Sequence, residues 1–335
     1  MSARPVVLLT NPIDPAGAEA LGRHAEVRTA PAADAESLRA AVRGADALIV
    51  RATLPDDLFE YAPRLRGVVR HGAGVDMIPL PQASAAAIPV ANTPAVNASS
   101  VAEHVIGQML SLAHRLASSA VLLRAKGWAE ARAHAGRATE LAGKTAGIVG
   151  IGAVGAEVAR VCLAGFGMRV LGHQRHLDRL PQGVERADLE TLFRTSDYVV
   201  LSCTLTEETR GLASRALIAL MKPAACLVNV ARGAVVDEPA LVEALRERRI
   251  AGAALDVFCE QPLAPGHPLL ALDNALLTPH AAGIAVESMQ RMSALAVDEV
   301  LRMLRGELPR HLVNREVADA ARERWARLGR APLAP

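Results

Sequence analysis

The run Thr145-Ala-Gly-Ile-Val-Gly-Ile-Gly-Ala-Val-Gly155 constrains this chain more than any other stretch. The apolar, β-prone residues Ala146 to Ile151 lead into Gly150-x-Gly152-x-x-Gly155, and a helical pattern follows at once. The order is strand, tight turn, helix. Gly150 permits the turn, Gly152 lets backbone approach a pyrophosphate, and Gly155 lets helix pack on strand. The phosphates would sit at the helix start, beside Ala153 and Val154, where N–H groups and the dipole favour an anion. A lone glycine motif is a weak signal. The strand before it and the helix after it give this one weight.

The βα rhythm extends on both sides. Downstream, strands are expected near 146–151, 169–173, 198–203, 226–231, 252–257 and 275–279, with helices near 153–165, 187–195, 211–221, 238–249 and 286–306. Six strands with intervening helices match a doubly wound dinucleotide-binding module. Upstream, short apolar runs at 6–9, 47–50 and 66–70 alternate with helix-like segments at Pro15–His24, Ala33–Val42 and Pro55–Tyr61, which predicts a second parallel sheet. That block closes near Ile88-Pro-Val-Ala-Asn-Thr-Pro94, where two prolines break any regular element. A long amphipathic helix follows, capped by Asn97, Ser99 or Ser100, with Val101, Val105, Met109, Leu112 and Leu116 at helical spacing. The polar, alanine-rich piece from Trp128 to Glu140 reads as a connector. The tail is expected to return to the first block.

Composition excludes several alternatives. A chain of 335 residues fits about two domains. It is 51% hydrophobic but only 2% aromatic, so the cores must be built from Ala, Val, Leu and Ile. A net charge of +2, with no basic stripe, argues against a nucleic-acid partner. The four cysteines, Cys162, Cys203, Cys226 and Cys259, fit no metal spacing and suggest a reducing compartment. No apolar run has the length of a membrane span, and the N-terminus shows no signal-peptide pattern. The expectation is a cytoplasmic protein with neither membrane nor metal.

At the end of the second strand of the glycine-turn module, an acid usually binds a ribose 2′-OH. Here the strand runs out into Gln174, Arg175 and His176. A guanidinium there pairs with a 2′-phosphate, which a carboxylate would repel. This favours NADP over NAD as cofactor, with NAD still possible. The competing reading makes Arg175 a solvated loop cation.

Three later segments carry polar groups at strand ends: Ala231-Arg232-Gly233, Leu255-Asp256-Val257 with Glu260 and Gln261 beyond it, and Thr278-Pro279-His280. Open α/β sheets form their sites at such ends. With Val50-Arg51-Ala-Thr53, Gly72-Ala73-Gly74-Val-Asp76, Asn92-Thr-Pro94, Ser100-Val-Ala-Glu-His104 and the glycine turn, they fall in one order. In that order, from about residue 45 to residue 305, the chain resembles the D-isomer-specific 2-hydroxyacid dehydrogenases. That family includes phosphoglycerate dehydrogenase, glyoxylate/hydroxypyruvate reductase and formate dehydrogenase.

The resemblance implies an α/β protein of two doubly wound parallel-sheet domains. A Rossmann cofactor domain (98–285) is inserted into a flavodoxin-like substrate domain (1–97 plus 286–335). It implies an NAD(P)-dependent oxidoreductase acting on the CH–OH group of a small 2-hydroxy or 2-keto acid, as a homodimer with the long helix at the contact. His280 becomes the general acid/base and Arg232 the holder of the substrate carboxylate and carbonyl. The N–H groups around Ala73 and Gly74 grip the other carboxylate oxygen, Arg51 is a second substrate contact, and Asp256 and Gly283 lie by the cofactor. The chemistry agrees: hydride transfer to a ketone builds charge on oxygen, which a proton donor and a cation must face. The two domains are expected to close on ligand, hinged near Asn97 and Gly283. His71 is a candidate for lining the site. His104 reads as a packing or interface residue, and His24, His114, His134, His176 and His311 as structural or solvated.

The pattern departs in places. Most of the family places a glutamate at Gln261, paired with the histidine, where its charge favours the imidazolium. Gln261 carries no charge, so His280 should be a stronger acid. Glu260 points to the opposite side of an extended segment. Ala153 stands where relatives often have arginine or asparagine, and Ser202 and Thr204 replace His and Pro after the fourth strand. The formate dehydrogenases are similar in pairing glutamine with the histidine, so formate oxidation is one alternative. A nucleotide-sensing regulator on the same fold is another.

Overall fold

The computed structural model describes residues 4–175 and 179–329. The chain divides into two compact units, 1–97 with 285–335 and 98–284.

The first unit is a parallel sheet of five strands: β1 (Val6–Leu9), β2 (Glu26–Thr29), β3 (Ala47–Val50), β4 (Gly67–Arg70) and β5 (Val90–Ala91), in the order β2-β1-β3-β4-β5. That is the flavodoxin-like order. Helix α1 (Pro15–Gly22) starts on Asp14, whose carboxylate accepts from Ala16 N and Gly17 N. Helix α2 (Ala35–Val42) starts on Asp34 in the same manner, and α3 (Leu80–Ala85) precedes β5. β1 and β3 are buried along their whole length, as expected of inner strands covered on both faces.

Three expectations change here. β2 reads Glu-Val-Arg-Thr and is mostly exposed, because an edge strand needs no apolar alternation, and so the sequence hides it. The prolines at 89 and 94 do not abolish structure between them. Val90 and Ala91 pair with Val68 and Val69, and Pro89 contributes a carbonyl, not a missing N–H, to the ladder. The segment Pro55–Tyr61 forms only a 3₁₀ turn over Leu58–Tyr61.

The second unit opens with α4 (Ala98–His114), α5 (Leu116–Lys126) and α6 (Trp128–Ala135). Val101, Val105 and Met109 are buried as their spacing predicts. Leu116 is 55% exposed, because Arg115 adopts a left-handed conformation (φ 55°) that ends one helix and starts another. The expected connector at Trp128 is helical. A seven-stranded parallel sheet follows: β6 (Thr145–Val149), β7 (Arg169–His173), β8 (Val184–Arg186), β9 (Tyr198–Leu201), β10 (Cys226–Asn229), β11 (Gly252–Leu255) and β12 (Ala275–Leu277). The order β12-β11-β10-β9-β6-β7-β8 is the doubly wound dinucleotide-binding order with one strand more at the β12 edge. Short, exposed β8 escaped the six-strand expectation for the same reason as β2. Helices α7 (Ala153–Phe166), α8 (Leu189–Thr195), α9 (Arg215–Leu220) and α10 (Glu238–Arg246) cover the sheet, with apolar clusters on both of its faces.

The chain then rejoins the first unit. α11 (Val286–Leu304) buries Ala296, Val297, Val300 and Met303 in the cluster that contains β1 and β3 side chains. Residues 312–314 lie along β5: Val313 N donates to Val90 O, and Asn314 Oδ1 accepts from Val90 N. α12 (Ala318–Arg327) docks through Trp325, whose indole N–H donates to Arg66 O at 2.7 Å. No helix among the described residues is long and apolar enough to cross a membrane.

Candidate active site

The glycine turn has three different surroundings at its three glycines. Gly150 sits at φ 92°, and a Cβ there would lie 2.5 Å from the backbone of Cys203. A Cβ on Gly155 would lie 2.2 Å from Gly150 O, so α7 backs directly onto the strand end. A Cβ on Gly152 would meet nothing within 4 Å. Gly152 also caps α7 without a side-chain hydrogen bond, so the first-turn N–H groups at Ala153 and Val154 face that open side. A pyrophosphate fits this cradle. Ser202 donates to Gly150 O at 2.8 Å and braces the turn from just beyond the end of β9, a contact no motif predicted.

β7 ends at His173, and Gln174 and Arg175 follow, half-buried and exposed respectively. Arg175 is exposed but paired: its Nη2 lies 2.6 Å from Glu208 Oε2, on the loop after β9. His176 lies outside the described residues.

β10, β11 and β12 are parallel neighbours, so their carboxyl ends lie side by side. Asn229, buried at the end of β10, accepts from Ala231 N (3.0 Å) and donates to Arg232 O (2.9 Å), folding the chain back on itself. A Cβ on Gly233 would fall 1.9 Å from the Phe258 carbonyl carbon. Only glycine permits the Arg232 loop to press against the loop after β11, which explains why glycine follows the arginine.

Asp256 is 1% exposed, and its oxygens are committed to protein donors. Oδ1 accepts from the Thr278 hydroxyl (2.6 Å) and Ala281 N (2.8 Å), and Oδ2 accepts from Ala282 N (2.9 Å). Asp256 thereby also clamps the turn that carries His280 and Gly283. His280 N donates to Asp256 O at 2.8 Å, and His280 adopts φ 53°, a conformation a non-glycine residue holds only when its surroundings impose it. The Thr278 proton is committed to Asp256, so its oxygen accepts from His104 Nε2 (3.1 Å) and Gln108 Nε2 (3.3 Å). His104 thus belongs to the clamp.

Gln261 faces the histidine. Its Oε1 lies 2.9 Å from His280 Nδ1, and its Nε2 donates to Phe258 O at 3.3 Å. The second bond fixes the amide orientation, so the oxygen faces the ring and Nδ1 carries the hydrogen. Proton exchange on the imidazole is thereby assigned to Nε2.

In the first unit, Arg51 follows β3. Its N–H donates to Thr10 Oγ1 (2.8 Å), its half-buried guanidinium reaches Pro12 O, and burial pulls its pKa down. The loop after β4 is held by its carbonyls. Thr93 N donates to Gly72 O (3.0 Å) and Asn92 Nδ2 donates to Ala73 O (2.7 Å). In a trans peptide the N–H points opposite to the preceding C=O, so these bonds turn the N–H groups of Ala73 and Gly74 outward. His71 is buried on Ser293 Oγ at 2.9 Å. Burial, then the Arg51 and Arg70 guanidinium groups, push its pKa down to about 4, so it is packed as a neutral group.

The comparisons follow the same lines. The description "D-isomer specific 2-hydroxyacid dehydrogenase, NAD binding domain" matches residues 106–282. The chain is 40% identical over 326 residues to a glyoxylate reductase of Aeropyrum pernix, covering 94% of this chain and 97% of that one. The chain belongs to the D-isomer-specific 2-hydroxyacid dehydrogenase family. It is 36% identical over 314 residues to a D-3-phosphoglycerate dehydrogenase of Methanocaldococcus jannaschii, covering 92% of this chain and 59% of that longer one. Among solved structures it is similar to an NADPH-dependent glyoxylate/hydroxypyruvate reductase of Sinorhizobium meliloti in complex with NADP and malonate. The TM-score is 0.82 at 31% identity, covering 93% of this chain and 97% of that one.

This 2-hydroxyacid dehydrogenase is thus a nicotinamide-dependent oxidoreductase acting on the CH–OH group of a small 2-hydroxy acid. Sequence reasoning missed Thr278 and Gln108 as members of the Asp256 clamp, and Asn229 as the brace for Arg232. Asn229 had a signal: a lone amide inside an apolar strand, Leu-Val-Asn-Val, is costly unless it bonds.

Proposed function

We propose that this dehydrogenase reduces a small 2-keto acid of the glyoxylate or hydroxypyruvate type with NADPH, as a cytoplasmic homodimer. The observation that carries the reading is the Phe258–Gln261–His280 chain, which leaves the exchangeable proton of His280 on Nε2. The nicotinamide, when bound, supplies the hydride to the carbonyl carbon. His280 gives its Nε2 proton to the carbonyl oxygen, and the product is the 2-hydroxy acid. Arg232 pairs with the substrate carboxylate and stabilises the negative charge that builds on the carbonyl oxygen. The N–H groups of Ala73 and Gly74 take the other carboxylate oxygen, and Arg51 adds a cation on the substrate side. Gly150, Gly152, Ala153, Val154 and Gly155 receive the pyrophosphate, Gly283 borders the cofactor, and Asp256 acts by holding the His280 turn.

NADPH is preferred because Gln174 and Arg175 stand where an acid would reject a 2′-phosphate. Self-association is supported by exposed apolar side chains clustered in sequence on α5 and α6: Leu116, Val121, Leu123 and Trp128, the last 73% exposed. A panel of 2-keto acids, each run with NADPH and NADH, tests the assignment. Turnover of none of them would refute it and leave the regulatory alternative. The Gln261–His280 bond favours one second reading, formate oxidation, which releases no proton for a base to take. NADP or NAD reduction with formate tests that directly.

A further inference from the structure

The ribose end of the cofactor site holds a carboxylate that its own strand does not supply. β7 runs out into Gln174 and Arg175 with no acid. Glu208, arriving from the loop after β9, places Oε2 2.6 Å from Arg175 Nη2. That loop is braced. Thr206 N donates to Thr209 Oγ1 at 2.7 Å, the Thr209 hydroxyl lies 2.7 Å from Thr204 O, and Arg210 N donates to Thr206 O at 3.0 Å. The Thr206 hydroxyl lies 3.4 Å from the same Glu208 oxygen. The carboxylate is therefore presented by a built turn, although the pair itself is exposed, 70% and 75%.

The end of the second strand is where a dinucleotide's ribose 2′ position is read: a carboxylate suits a 2′-OH, a guanidinium a 2′-phosphate. This chain brings one of each to that place and sets them on one another. We propose that Glu208 is a cofactor-discriminating residue, whose carboxylate occupies Arg175 until a 2′-phosphate displaces it. The inference rests on the reading of Arg175 as the 2′-phosphate contact. NADP must break the ion pair and meets the carboxylate's repulsion, whereas NAD leaves the pair intact. Glu208 thus narrows the preference for NADP that Arg175 creates.

The test is binding of NADPH and of NADH to the full chain, followed by cofactor fluorescence without substrate. An exposed ion pair shifts an equilibrium by about two- to fivefold, so Glu208→Gln should tighten NADPH by that factor and leave NADH unchanged. Arg175→Ala should weaken NADPH severalfold, and in the double variant the gain from Glu208→Gln should vanish. NADPH binding unmoved by Glu208→Gln, with Arg175→Ala still weakening it, overturns the inference and leaves the Arg175 reading standing. An unchanged NADPH-to-NADH ratio in Arg175→Ala overturns both.

Discussion

Replacing Gln261 by glutamate should move the pH dependence of this enzyme upward by about one to two units. The amide oxygen lies 2.9 Å from His280 Nδ1, so Gln261→Glu sets a full negative charge where a dipole now sits. Two unit charges about 4 Å apart attract by roughly 1 kcal/mol in water, and by about four times that near a protein surface. One pKa unit is about 1.36 kcal/mol, and both side chains are exposed, so the shift falls near the lower end of that range. The sign follows from the direction of reaction. Oxidation of the hydroxy acid needs a neutral imidazole, so activity is lost on the acid side, and stabilising the imidazolium raises that inflection. Reduction needs the imidazolium, so activity is lost on the alkaline side, and that inflection rises as well. The assay is kcat/KM against pH in both directions for the parent and the variant at fixed ionic strength. Added salt should shrink the shift. Inflections that stay in place in both directions would refute the claim that residue 261 governs the histidine.

Three other outcomes follow from the geometry. The pKa of His71 falls from 6.5 to about 4 on folding, so the unfolded chain binds the extra proton between those values. Stability should therefore drop as pH falls through that window, by up to about 3 kcal/mol, and His71→Gln should flatten that part of the pH–stability curve in urea melts. Asp256→Asn puts an NH₂ group against donors of the His280 turn and leaves at least one unpaired, at about 1–3 kcal/mol. It should lower kcat while leaving NADPH binding near that of the parent. Ala285 caps α11 in an extended conformation without a side-chain acceptor, while Ser288 already bonds back to its N–H. Ala285→Thr should complete the reciprocal cap and add about 1 kcal/mol to the stability of the first unit, read by denaturant titration.

Much of this was legible in the sequence because the signals were local. The apolar runs of β1, β3, β6 and β10 are continuous because these strands are covered on both faces, and the spacing of the glycines reports a turn only glycine can make. What escaped was set by neighbours distant in the chain. β2 and β8 are exposed edge strands whose only reason to be strands is the partner alongside them. The break at Arg115 carries no glycine or proline to announce it. Gln261 was placed opposite His280 by resemblance, but the orientation of its amide depends on Phe258 O, which no motif encodes. Asp256 is set beside the cofactor by resemblance, and only the N–H groups of Ala281 and Ala282 reveal that its carboxylate also holds the His280 turn. The ion pair of Arg175 with Glu208 links residues 33 positions apart and left no trace in the linear pattern.

In the proposed reaction His280 is the proton donor for carbonyl reduction. Its most direct test is kcat/KM for NADPH-dependent reduction of glyoxylate by His280→Ala, measured beside the variant's affinity for NADPH. His280→Ala should lower it by about 10²- to 10⁴-fold with cofactor binding retained. Reduction by the variant at close to the parental rate would contradict that role.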